Sequence, residues 1–333
     1  MTHMNVVLRC AAGLAVAGLA LLHTVSHAES PAWLPVRDAN PFVLGNGLPL
    51  LPETPDHTGD WRLDASLAEA NSQLLSSTAH NSVTYAAETR EVRLAFSYAF
   101  AEDWSARASL GTYWIGVGFL DRPIQHFHDL IGAPQGYRGG RLGVKPPYVR
   151  VDADGRNLFF LDRPAASAAP LLLDVTRRFD ASPAQTYGVS ASLSVPLGSA
   201  RDLTDNGHGA LALSAFGDWR FAHDAWQAGA RVGYVHDGGN DLLPTLARHG
   251  AAFGDVYVRA PAVWGWRAQL QYDVHSGFYR DAPNFLAYAG VLTIGLTHAL
   301  GAHAELQFGV GEDVPIAHTQ DVVLTAALRI AAP

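Results

Sequence analysis

In VWGWRAQLQYDVHS, residues 263–276, every second side chain is apolar: Trp264, Trp266, Ala268, Leu270, Tyr272 and Val274 share one face, while Arg267, Gln269, Gln271, Asp273 and His275 share the other. A period of two is the signature of an extended strand with two unlike faces. It recurs along the chain. REVRLAFSYAF groups Val92, Leu94, Phe96, Tyr98 and Phe100, and TYGVSASLSVPLG groups Tyr187, Val189, Ala191, Leu193 and Val195 against Ser190, Ser192 and Ser194. AHAELQFGV sets Leu306 and Phe308 against His303, Glu305 and Gln307. Sustained helical periodicity is scarce.

A soluble sandwich also alternates, so two further features decide. Aromatic residues gather near strand ends (Tyr98, Trp104, Trp219, Trp226, Trp264, Trp266), as interfacial girdles do. The polar faces carry Arg, Asp, Glu and Gln in mid-strand, which suits a wet lumen rather than a dry core. Twelve strands are expected, near 61–70, 89–100, 104–118, 170–179, 186–197, 208–219, 225–236, 251–260, 263–275, 286–298, 302–311 and 320–330. Connections near 101–103, 180–185, 220–224, 261–262 and 299–301 are short; those near 71–88, 119–169, 198–207, 237–250, 276–285 and 312–319 are longer. Strict alternation of short turns and long loops is the outer-membrane pattern, with short turns and both termini in the periplasm. The expected fold is therefore all-β: a transmembrane up-and-down barrel of about twelve antiparallel strands with long extracellular loops.

Residues 1–28 are expected to be a signal peptide. Arg9 precedes an apolar run from Ala11 to Leu22, too short to span a bilayer, and Ser26-His27-Ala28 offers a cleavage site before Glu29. Cys10, the only cysteine, falls inside this leader, which removes disulfides and thiolate metal sites from the mature chain. Residues 29–58, rich in proline, are expected to form an irregular arm in the periplasm or lumen, and 59–333 the barrel. A net charge of −8 gives nucleic acid no basic face.

Several stretches are similar to a known family: NPFVLGNGLPL, GFLDRPIQHFHDLIGAPQGYRGGR, YVRVDADGRNLFF, YDVHSGFY and GEDVPIAHTQDVVLTAALRI, in this order over nearly the whole mature chain. Together they resemble the bacterial outer-membrane proteins grouped as domain of unknown function 3187. The resemblance implies the outer membrane of a Gram-negative bacterium and supplies no activity. One departure is the end of the chain on Ile330-Ala331-Ala332-Pro333 rather than an aromatic residue, which bears on recognition by the barrel-assembly machinery.

The longest connection holds IQHFHDLIGAPQGYRGGR, residues 124–141. Asp121 at the cap, Pro123 in the first turn and Gly132 at the end predict a short helix. Ile124, Phe127, Leu130 and Ile131 share its apolar face, which is expected to seat on the lumen wall. His126 and Asp129 point away, and His128 lies near the boundary. Helical i,i+2 spacing splays the two histidines by about 200°, so they are not a matched metal pair. A metal or proton site built from His126, Asp129 and a distant Asp313 is the sharper alternative. Arg138, Arg141 and Lys145 in the glycine-rich tail are expected to line an electropositive constriction or simply to pack the loop. His275 and Ser276 are adjacent on a strand and face opposite ways, so they cannot form a nucleophile–base pair; His275 faces the lumen, near Asp273. Asp313 also faces the lumen, with Glu312 near the rim, and two adjacent acids are weak grounds for calcium. Arg259, Arg267, Asp255, Asp273 and Glu305 are expected to pair across neighbouring strands.

No catalytic residue, metal or cofactor is expected. The expected protein is a monomeric, porin-like barrel in contact with outer-membrane lipid: a narrow channel for an unidentified small solute, or a receptor-like barrel, with the lumen constricted by loop 119–169. An outer-leaflet lipid-modifying enzyme and a structural envelope barrel that binds a protein partner are the alternatives.

Overall fold

Strands with one apolar and one polar face must bury every backbone hydrogen-bonding group if they are to stand in lipid, and only a closed ring of strands does so. The computed structural model closes that ring. It describes residues 33–53, 55, 57–132, 134–182, 184–221 and 226–332, so the expected signal peptide lies outside the described residues. The first strands are β1 (Trp61–Ser77), β2 (Asn81–Ala101), β3 (Trp104–Gly116), β4 (Tyr148–Ala153), β5 (Arg156–Leu161) and β6 (Ala165–Ala168). There follow β7 (Leu171–Ser182), β8 (Gln185–Val195), β9 (Ala210–Phe221), β10 (Trp226–Asp237) and β11 (Gly250–Arg259). The last are β12 (Trp266–His275), β13 (Ala289–Ala299), β14 (Ala304–Asp313) and β15 (Val322–Ala331).

Twelve of these make the wall, in the order β1-β2-β3-β7-β8-β9-β10-β11-β12-β13-β14-β15, each antiparallel to the next. The ring shuts where Arg62 to Asn71 of β1 pair with Ala331 to Val322 of β15. Side-chain parity follows the sequence. Arg93 and Ser97 of β2 are buried in the lumen, whereas Leu94, Phe96 and Tyr98 are exposed on the outside. The aromatic residues at the short turns also face outward, where Trp266 stacks on His298. Trp264 departs from its expected strand face: it sits in the turn before β12 with φ of 53° and is 94% exposed.

Two long connections differ from expectation. Residues 71–88 are mostly not a loop, because β1 and β2 run on past the wall as a hairpin as far as Ser77 and Asn81. Residues 119–169 carry a helix and the short strands β4, β5 and β6. Strand β4 pairs with the protruding start of β2 at Asn81 to Ala86, and β6 adds to β3 at Thr112 to Ile115.

The N-terminal arm fills the barrel. Residues 33–48 are almost all buried although they contain no strand, and their one helical turn, α1 (Pro41–Leu44), is capped by Asn40, whose side chain accepts from the Phe42 amide. Gly45 lets the arm pass the loop after β8 closely: a Cβ there would lie 2.5 Å from the Asn206 nitrogen. At the long-loop mouth Phe42, Val43 and Leu48 join Leu203, Leu243 and Phe285 in one apolar cluster. Burying each such large side chain is worth about 1.5–3 kcal/mol, so this cluster helps seat the arm at that end.

Candidate functional site in the barrel lumen

The arm meets the wall mainly through polar groups. The Leu34 amide donates to Gln271 Oε1 at 3.0 Å, and Gln271 Nε2 donates back to the Leu34 carbonyl at 3.3 Å. Arg37 donates to Glu91 at 2.9 Å and to the Tyr113 hydroxyl. Asp38 accepts from Thr319, and its other oxygen lies 2.8 Å from His275 Nε2. Further along, Arg231 and Arg107 of the wall donate to the Leu50 and Leu51 carbonyls, each at 2.8 Å. Near the short-turn end, Glu53 accepts from Arg329 and lies 3.9 Å from Arg107. Burial opposes the Glu53 charge, but Arg329, a hydrogen bond with Asp64, Arg107 and Arg62 outweigh it and hold the carboxyl down at about 2.

Behind these contacts the wall carries its own ion pairs, which keep buried charge compensated. Arg231 pairs with Asp255 at 2.5 Å, Arg107 with Asp174 at 3.2 Å and Arg329 with Asp64 at 2.8 Å. A cavity of about 70 Å³ remains between arm and wall, lined by Arg37, Glu53, Glu91, Arg93, Arg107 and Arg329 among others. At the short-turn mouth a vestibule of about 260 Å³ opens beside Arg259, Arg267, His303, Glu305 and Arg329.

A family model described as protein of unknown function (DUF3187) matches residues 13–331. The chain belongs to that family. No curated protein matches this DUF3187 member. Among solved structures it is similar to the COG4313 outer membrane channel from Pseudomonas putida F1, with 12% identity and a TM-score of 0.56, covering 86% of this chain and 98% of that one. The likeness is one of fold: an outer-membrane barrel. The NanC porin is more distant, with 12% identity and a TM-score of 0.47 over 81% of this chain and 98% of that one.

In this DUF3187 chain Arg259, Asp273, His275 and Asp313 are buried, and Arg267 and Glu305 are half-buried. Arg259 pairs with Glu305 at 2.7 Å, reaching from β11 to β14, and also donates to Thr297. Asp273 accepts from Gln271 and faces Asp255 across the β11–β12 ladder. Arg267 is half-buried at the vestibule. His275 is buried, yet its partner is Asp38 of the arm rather than a neighbour of Asp273. Its other nitrogen is 2.9 Å from the Ser276 carbonyl, while Ser276 Oγ accepts from the Ala252 amide. Asp313 accepts from the Ala317 and His318 amides and so ties down its own loop. Among the described residues no three His, Cys, Asp or Glu side chains gather to hold a metal.

The loop residues are a correction. The expected helix exists as α2 (Asp121–Ile131), with Gly132 ending it at φ of 70°. Its N-cap is Leu120, not Asp121, which instead accepts from Gln125 at 2.6 Å. The helix does not seat on the lumen wall. Leu120 and Ile124 pack on Val322 and Leu324 of β15, whose parity is outward because Val323 between them meets Ala39 of the arm. The Phe119 and Leu120 amides donate to Glu88, also on the outer face. Arg138, expected in a constriction, is buried against that outer wall, bound to Asn71, to Asp121 at 2.9 Å and to Asp321 at 2.8 Å. Phe127 and Leu130 do not pack on the wall: they are 53% and 83% exposed. His126, Asp129 and Arg141 are exposed, His128 is half-buried, and the Ile131 side chain lies outside the described residues.

The lumen is therefore occupied by the arm, not by loop 119–169. Sequence reasoning missed Arg37, Asp38 and Glu53 because the arm has no period. Its available signal was the run of prolines beside charges that no strand face could absorb.

Proposed function

We propose that this DUF3187 member is an outer-membrane channel for small solutes that its own arm holds shut, with the long loops facing outward from the cell. The observation that carries this is the plug itself: residues 33–53 lie in a lumen whose wall remains lined by charged and polar side chains. Water replaces the arm readily in such a lumen, since each group it leaves can be solvated. The mechanism is steric and electrostatic selection without chemistry. His275, buried and committed to the arm through Asp38, supports a gating contact more than a catalytic one.

Ala39 packs with Ala70 of β1. Cysteines at both positions, in a Cys10→Ser background, would lock the arm when oxidised. Planar-bilayer recordings are expected to show a silent oxidised protein and stepwise currents after reduction, with larger steady currents once residues 33–53 are deleted. A deletion variant that folds as a heat-modifiable barrel but passes no ions would overturn the reading.

A further inference from the structure

We propose that α2 is a membrane-surface helix, with Phe127 and Leu130 set among the acyl chains of the lipid leaflet at the long-loop rim. The outer wall beneath it changes character by rungs. Leu94 and Leu110 face each other in an exposed apolar rung. Nearer the rim come Glu69, Arg90 and Trp114, with Arg90 donating to Glu69 and lying 5.1 Å from the Trp114 ring centre. Last come Asn71 and Glu88, hydrogen-bonded to each other at 2.9 Å. Such polar groups on a lipid-facing wall need cover. Segment 117–138 supplies it: its amides satisfy Glu88, and Arg138 satisfies Asn71. The cover is thus fixed on the outside of the barrel, at the upper edge of the apolar belt.

The helix faces then assign themselves. Ile124 and Leu120 point at the wall. Asp121 and Gln125 lie on the flank turned to the following loop, where Asp121 takes Arg138 and the Gln125 carbonyl accepts from Gln135 at 2.9 Å. That loop leads back to β4, on the hairpin that protrudes past the rim. Phe127 and Leu130 occupy the opposite flank, away from the protruding hairpin and towards the belt, about 60° apart on a helical projection. Asp129 belongs with Asp121 and Gln125, accepting from Gln135 at 2.6 Å, while Arg122 and His126, exposed, face away from the wall towards headgroups and water. Continuity with the wall's apolar belt identifies the occupant: a helix with one apolar flank, one polar flank and a fixed seat beside that belt meets the acyl boundary of the leaflet.

The test is site-directed spin labelling of the full chain reconstituted in phosphatidylcholine vesicles. Single cysteines at Phe127, Leu130 and His126, in a Cys10→Ser background, carry a nitroxide, and its collision rates with oxygen and with a water-soluble nickel chelate are compared. The oxygen-to-nickel ratio is expected to be several-fold higher at 127 and 130 than at 126. Equal ratios at all three positions would put the helix in water and overturn the proposal. Labels at 127 and 130 shielded from both reagents would mean a protein neighbour or second copy, and would overturn it too. Conductance plays no part, so this result stands or falls apart from the channel reading.

Discussion

Glu53 is one carboxylate among three arginines, and its ionisation is part of what holds the arm. A carboxyl depressed from its ordinary 4.5 to about 2 contributes docking free energy at every pH above 4.5 and loses it as the pH falls towards 2. Protease protection of residues 33–53 is expected to fade as the pH falls below 4.5. Glu53→Gln should loosen the arm at neutral pH by about 1.5–3 kcal/mol, the worth of a hydrogen bond to a charged partner, and should flatten the acid limb. Gly295 acts by what it lacks. A Cβ on this lumen position would lie 2.3 Å from Leu34 Cδ1. Gly295→Val is expected to cost the docked arm about 1–3 kcal/mol through overpacking, seen as faster hydrogen exchange at Leu34 with the wall unchanged.

At the scale of elements, the strands were legible and the helix only half so. Period two carries strand existence and facing, which is what points Asp273, His275, Glu305 and Asp313 to the lumen from their sequence positions alone. For α2, proline, glycine and apolar spacing gave the helix and its apolar flank. They could not say which apolar surface that flank would find, because a barrel wall is apolar on the side away from its centre. The arm was less legible still: its contacts, such as Leu34 with Gln271 and Asp38 with His275, join residues 237 apart in sequence. Arg138 is the rivet of the α2 segment. Arg138→Ala leaves Asp121 and Asp321 without their shared cation and is expected to weaken docking of 119–138 by about 1.5–3 kcal/mol. Limited proteolysis should then cut within this segment while the barrel keeps its heat-modifiable gel mobility.

Over the whole molecule, loop lengths alternate except at the β1–β2 hairpin, whose strands themselves protrude, so the two rims are unlike, and the proposed orientation follows from that. Cysteines at Asp241 and Asn284, both exposed on long loops, are expected to react with an impermeant maleimide in intact cells, and one at Asp103 only after lysis. The reverse pattern would invert the topology. The plug also belongs to the same chain as the wall, joined to β1 by the short stretch 54–60. Closure of the proposed channel is therefore first-order, indifferent to how many copies the membrane holds. A tethered segment faces its site at an effective concentration in the millimolar range for a short linker. In the proposed channel, a solute that opens the barrel by taking the arm's contacts must outcompete that local concentration, so weakly held solutes at micromolar levels leave it closed, and added arm peptide matches the tethered arm's occupancy in a deletion variant only as it approaches the same millimolar range.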